Sequence, residues 1–133
     1  MQVKSKIWKK QIRLGGARAL SYEFCKDFEV DYCEIYLVDQ IKDAFGVYCS
    51  LNPPHILIDL NAKNRIGIVI HELTHHLEYQ CYDTNGQSSH GYSYQLAKQR
   101  VIRWAKKNIS STAPWHHPLK AFQIKSEQKD FIL

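Results

Sequence analysis

The chain has 133 residues, enough for one domain with a modest core. Its hydrophobic fraction of 44% and charged fraction of 23% are those of an ordinary globular protein. No apolar run approaches the roughly eighteen residues a membrane-spanning helix needs. The formal charge of +5 suits a nucleic acid or another polyanion, and equally a well-solvated surface.

Residues 1–10 are basic but have no apolar segment or small-residue cleavage site of a secretory signal, so a cytoplasmic location is expected. Cys25, Cys33, Cys49 and Cys81 form no CxxC pair, which excludes a cysteine zinc ribbon and points to reduced, mostly buried thiols. In chain order, a basic arm (about 1–16) ends at a Gly15-Gly16 turn. From Ala17 to about Phe28 the spacing of Ala17, Leu20, Phe24 and Phe28 predicts an amphipathic helix. Cys33–Val38, Gly46–Ser50 and His55–Leu60 read as strands, and the short turns between them favour antiparallel neighbours.

Asn61 or Asn64 can cap a second helix that runs to about Cys81, its core stripe being Ile66, Val69, Ile70, Leu73 and Leu77. A polar loop over 83–89 leads to a third helix from about Gly91 to Lys107. Tyr94, Ala97, Val101 and Trp104 lie on one face of it, and Lys98, Arg100, Arg103, Lys106 and Lys107 on the others. An irregular tail (about 108–133) holds His116 and His117. The order predicts a compact α+β domain: helix, three-stranded sheet, helix, helix.

His71-Glu72-Leu73-Thr74-His75 is an HExxH motif within the second helix. Histidines four apart share a helical face and can reach one metal ion. Glu72, offset by about 100°, stands beside that ion as a general base rather than as a ligand. His76 is aimed another 100° away, which reads as a surface or supporting residue. A catalytic zinc takes three protein ligands and keeps a position open, so a third ligand is required. His90, at the start of the third helix and followed by Gly91, can fold back over the first two. His116 and His117 are its rivals, and Glu78 is less well placed because it sits on the same helix.

The pattern HELTH followed by HGYSY resembles the SprT-like (Spartan-type) zinc metallopeptidases, whose HExxH is followed by HGxxF or a close variant. Gly46-Val47-Tyr48-Cys49-Ser50 and His55-Ile56-Leu57-Ile58-Asp59-Leu60 also look like the strands before that family's active-site helix. The resemblance spans about Ala17 to Trp104. It implies a compact zincin-like domain occupying 1–133, one Zn2+ held by His71, His75 and His90, and Glu72 as catalytic acid/base. The expected function is a zinc metalloendopeptidase acting on cytosolic, DNA-associated proteins. In place of the cysteine-rich ribbon of many members, the chain has a basic and aromatic tail.

Tyr92 is open as a donor to the transition-state oxyanion, while Tyr94 stands where the family has Phe or Trp and is expected to pack. Lys98, Arg103, Lys106 and Lys107 are candidate nucleic-acid contacts, with Trp104 either a stacking platform or a core residue. Two other readings stand beside the peptidase: a zinc-stabilised, non-catalytic binding or adaptor module, and a toxin-like protease with one cellular target.

Overall fold

The computed structural model describes residues 14–51, 53–62, 65–83 and 90–109. Helix α1 (Leu14–Phe28) buries Leu14, Ala17, Leu20 and Phe24 along its apolar stripe. Its start corrects the expected arm and turn, because Gly15 and Gly16 are helical and buried in its first turn. The helix stops at Glu29, whose φ of 56° is left-handed. The N–H groups of Glu29 and Val30 return to the carbonyls of Lys26 (3.3 Å) and Cys25 (3.0 Å), the paired bonds of a Schellman cap.

Strands β1 (Glu34–Val38), β2 (Gly46–Cys49) and β3 (His55–Asp59) form one mixed sheet in the order β1-β3-β2. β2 and β3 pair antiparallel as expected, but β1 lies parallel to β3 and is not a neighbour of β2. The reason is burial. Ile56, Ile58 and Asp59 make β3 the most enclosed strand, so it takes the centre with both edges paired, while β2 is half-buried throughout and takes an edge. Ile35, Ile56 and Ile58 are fully buried on the helix-covered face. Arg18 ties α1 to β1: its buried Nε–H is shared between the Ile35 carbonyl and Glu34 Oε1, each at 2.8 Å.

Asp59 shapes the entry to the next helix. Its carboxylate accepts the N–H groups of Ile41 (3.0 Å) and Asn61 (2.8 Å). Helix α2 (Arg65–Cys81) follows, with Ile66, Val69, Ile70, Leu73 and Leu77 all in the core. Asn64, one of its two expected caps, lies outside the described residues. Helix α3 (Tyr92–Asn108) buries Tyr94, Ala97, Val101 and Trp104 against α2 and α1. The Trp104 ring meets Phe24 edge-on at 5.2 Å, and its N–H donates to Asp27 Oδ2 at 2.8 Å. Trp104 is therefore a core residue and offers no free face for a base. The result is an α+β fold in which α2 is sandwiched between the sheet and α3. No helix among the described residues is long and apolar enough to cross a membrane. Cys25 and Cys33 are buried free thiols as expected, whereas Cys81 is exposed.

Candidate metal centre

Helix α2 turns its apolar stripe to the core, and one turn of pitch brings His71 and His75 together on the opposite side with ring centroids 5.0 Å apart. His90, just before α3, completes a triangle at 5.2 Å from His71 and 4.9 Å from His75. One nitrogen from each ring lies within 4.8 Å of the others. His90 Nε2 and His71 Nε2 are 3.3 Å apart. Nitrogens bound at about 2.0–2.1 Å in a tetrahedral zinc site stand about 3.3–3.4 Å apart, so this spacing fits one ion. His71 and His90 are exposed, which leaves the far side of the triangle open to solvent and to a reactant.

The surroundings keep two of the three rings unprotonated. Burial first, and then the charges of His75, His90 and Lys98, hold His71 down to about 4. Burial and His90 hold His75 down to about 4 as well. Both rings are neutral at pH 7 and able to donate a lone pair.

Glu72, one residue along α2, is 8% exposed and packs towards β2. Burial raises its carboxyl to about 7, opposed by the Tyr48 backbone N–H that donates to it. β2 can come this close because Gly46 has no side chain. A Cβ there would collide with Ile68 Cγ2 and stand 3.5 Å from Glu72 Oε2. Nothing in the motif pointed to Gly46 or Tyr48, since their roles depend on which strand lies over α2.

Of the two roles left open for His76, surface or supporting, burial excludes the first. It is fully buried, with Nε2 2.6 Å from the Asp31 carbonyl and Nδ1 2.7 Å from the Tyr48 hydroxyl. A carbonyl only accepts, so Nε2 carries the proton and Nδ1 accepts from Tyr48. The same tyrosine thus clamps β2 to α2 through its side chain and reaches Glu72 through its backbone.

The α3 residues fall into two groups. Tyr94 packs as expected, its ring 4.6–5.7 Å from all three histidines. Its hydroxyl also lies 3.1 Å from His71 Nδ1 and bonds to Thr74. Burial pushes that phenol up to about 12, so it stays protonated. Tyr92, by contrast, is 72% exposed at the start of α3. Lys98, Arg103, Lys106 and Lys107 are all exposed, with Lys98 near enough for its charge to act on His71. Gly91, the residue after His90, has a φ of −79°, which any residue adopts. Glu78 is buried, accepts a short hydrogen bond from Ser93 Oγ, and places Oε1 3.7 Å from His75 Nδ1. It therefore stands beside His75 and outside the histidine triangle, as its three-residue spacing on the same helix allows. His116 and His117 lie outside the described residues.

Compared with models of known protein families, with curated proteins and with solved structures, the chain gives no match.

Proposed function

We propose that this chain is a zinc-dependent metalloendopeptidase of the SprT-like kind, with His71, His75 and His90 as ligands and Glu72 as general base. The observation that carries the reading is a triangle of imidazoles, open on one side, with a carboxyl raised to about 7 on the residue after His71. Bound zinc would supply Lewis acidity, drawing the pKa of water towards neutrality and polarising a peptide carbonyl. Neutral ligands leave the ion its full charge for that task.

Glu72 does the proton work. Its carboxylate takes a proton from the attacking water, holds it, and passes it to the leaving amine nitrogen. A group titrating near 7 is matched to both halves of that transfer. The Tyr48 N–H steadies the carboxyl from the β2 side. A purely structural zinc site has no use for such a base and usually closes with a fourth protein ligand.

The test is zinc content and casein cleavage measured side by side on wild type, Glu72→Gln and His90→Ala. Zinc in wild type and Glu72→Gln, its loss from His90→Ala, and cleavage by wild type alone are expected. Zinc retained by all three proteins with no cleavage would replace the peptidase with a zinc-stabilised binding module. Exposed Lys98, Arg103, Lys106 and Lys107 support substrates bound to nucleic acid. Cleavage of a DNA-binding protein should then rise when DNA is added, and an unchanged rate would remove that part.

A further inference from the structure

The loop between β1 and β2 borders a cavity that the metal chemistry does not use. It measures about 580 Å³, within the roughly 300–1,000 Å³ of ordinary ligand sites, and it opens to solvent. Gly46 turns towards α2, so Phe45 before it turns to the opposite face of the sheet. Asp59 follows Ile58, which is buried under the helices, and turns the same way. The two are joined where the Asp59 N–H donates to the Phe45 carbonyl at 2.8 Å. Both line the cavity, together with Gln40, Ile41, Asp43 and Asn61. Among the described residues the lining carries two carboxylates and no cationic side chain, in a chain whose net charge is +5. The Asp59 carboxylate is fixed by the N–H groups of Ile41 and Asn61, which hold it below its ordinary value and so ionised at pH 7. Asp43 is exposed, in a turn where its φ of 63° is left-handed. Phe45 is 61% exposed, which leaves its ring available to a ligand.

Two carboxylates beside an aromatic ring suit an ammonium or guanidinium group whose alkyl stem lies on apolar surface. They do not suit a metal ion: among the described residues only His71, His75 and His90 bring three donor side chains close enough for one. We propose that this cavity is a recognition pocket for a lysine or arginine side chain of the polypeptide substrate, with Asp43 and Asp59 meeting the charge and Phe45 covering the stem. β2 alone separates the pocket from Glu72, and it is an edge strand, so a polypeptide can pass round it from one face to the other. The basic residue therefore lies some residues away from the bond that is cut rather than beside it. Proteins that neutralise nucleic acid are rich in the same two side chains, which agrees with the substrates proposed above. That the bound chain is a substrate rests on the peptidase reading; the preference for a cation does not.

The experiment titrates the 15N-labelled full chain with the blocked pentapeptides AAKAA, AARAA, AALAA and AAEAA. The lysine and arginine peptides should shift the backbone amides of Asp43 and Phe45, and the leucine and glutamate peptides should not. Phe45→Ala should weaken binding of the lysine peptide about 2- to 5-fold, the share of an exposed cation–π contact. Asp43→Asn should weaken it by up to about 5-fold, and asparagine keeps the left-handed turn. Both side chains are exposed, so the two variants should fold as wild type does. In casein cleavage the double variant should raise KM by a larger factor than it lowers kcat. Equal binding of the leucine and lysine peptides, or a lysine peptide that binds both variants as tightly as wild type, overturns the pocket. Shifts of the same amides by Ca2+ or Mg2+ with none from the lysine peptide overturn it in favour of a metal site. An unchanged KM beside weakened peptide binding overturns its role in substrate selection. Absence of zinc or cleavage in wild type would sink the peptidase reading instead, and the titration would still decide the pocket.

Discussion

On the side of α2 turned to α3, His71 and His75 face the His90 ring, and their Nδ1 atoms face Tyr94 and Glu78. On the side turned to β2, His76 spends both nitrogens on protein groups, Asp31 and Tyr48, and is fully buried. His75 and His76 are adjacent in sequence, yet about 100° of helical rotation separates a candidate metal ligand from a structural bracket. At His76 the partners set the tautomer, because the Asp31 carbonyl can only accept and so the proton sits on Nε2. A histidine's role in this protein follows from which neighbours can only accept and which can donate.

The largest effect is expected at the bracket. His76→Ala removes a buried ring and strands the Tyr48 hydroxyl and Asp31 carbonyl, which should cost about 3–5 kcal/mol of stability in urea unfolding. A cost below about 1 kcal/mol would show that the two sides of α2 are not distinct after all.

Next comes Glu72, which lies between the two sides. Its carboxyl is raised from 4.5 to about 7, so metal-free wild type should lose stability as pH rises through 7. Glu72→Gln has no such loss. Its advantage over wild type should be absent near pH 4 and reach up to about 3 kcal/mol near pH 8.5, at about 1.4 kcal/mol per pKa unit. His71 and His75 act in the opposite direction. Because they are held to about 4, their contribution is full above 6.5 and is lost as pH falls from there towards 4. That effect is common to both proteins and cancels in the difference. Equal stability of the two proteins at pH 8.5 would mean that Glu72 is not desolvated.

Gly46→Ala should cost about 1–3 kcal/mol, since its methyl group collides with Ile68 and β2 must shift where it lies against Glu72. Cleavage should fall further than stability does, while zinc content stays at the wild-type level. Parallel losses of zinc and cleavage would place the damage on the histidines instead. The smallest effect belongs to Tyr48→Phe. It deletes one hydrogen bond to His76 at about 1 kcal/mol and keeps the backbone N–H on Glu72. Zinc Kd should not move, which would confirm that the bracket and the metal side are separable; a weaker Kd would couple them.

Much of this arrangement was legible in the chain itself. The spacing of His71 and His75, the stripe from Ile66 to Leu77 and the periodicity of α1 and α3 are local signals. Local backbone geometry carries them directly into helical faces. His90 was also readable as a candidate, because a loop and a following helix offer few ways to bring it near α2 other than over the motif. The parallel pairing of β1 and β3 was not legible: it follows from the relative burial of three strands, which short turns alone do not reveal. The N-terminal boundary was missed because Gly15-Gly16 looks like a turn, while burial of Leu14 draws those glycines into the helix.

By itself, then, the sequence determined which side chains could share a face and hence where a metal could be held. Only the tertiary structure decided what each of them is bonded to. His76 became a bracket because β2 and the Asp31 carbonyl lie over it. Glu72 became a desolvated base because Gly46 lets a strand press against it. Tyr94 became more than packing because α3 brings its hydroxyl to 3.1 Å from His71 Nδ1. Periodicity reports direction along one element, whereas hydrogen-bond direction and desolvation depend on the elements packed against it.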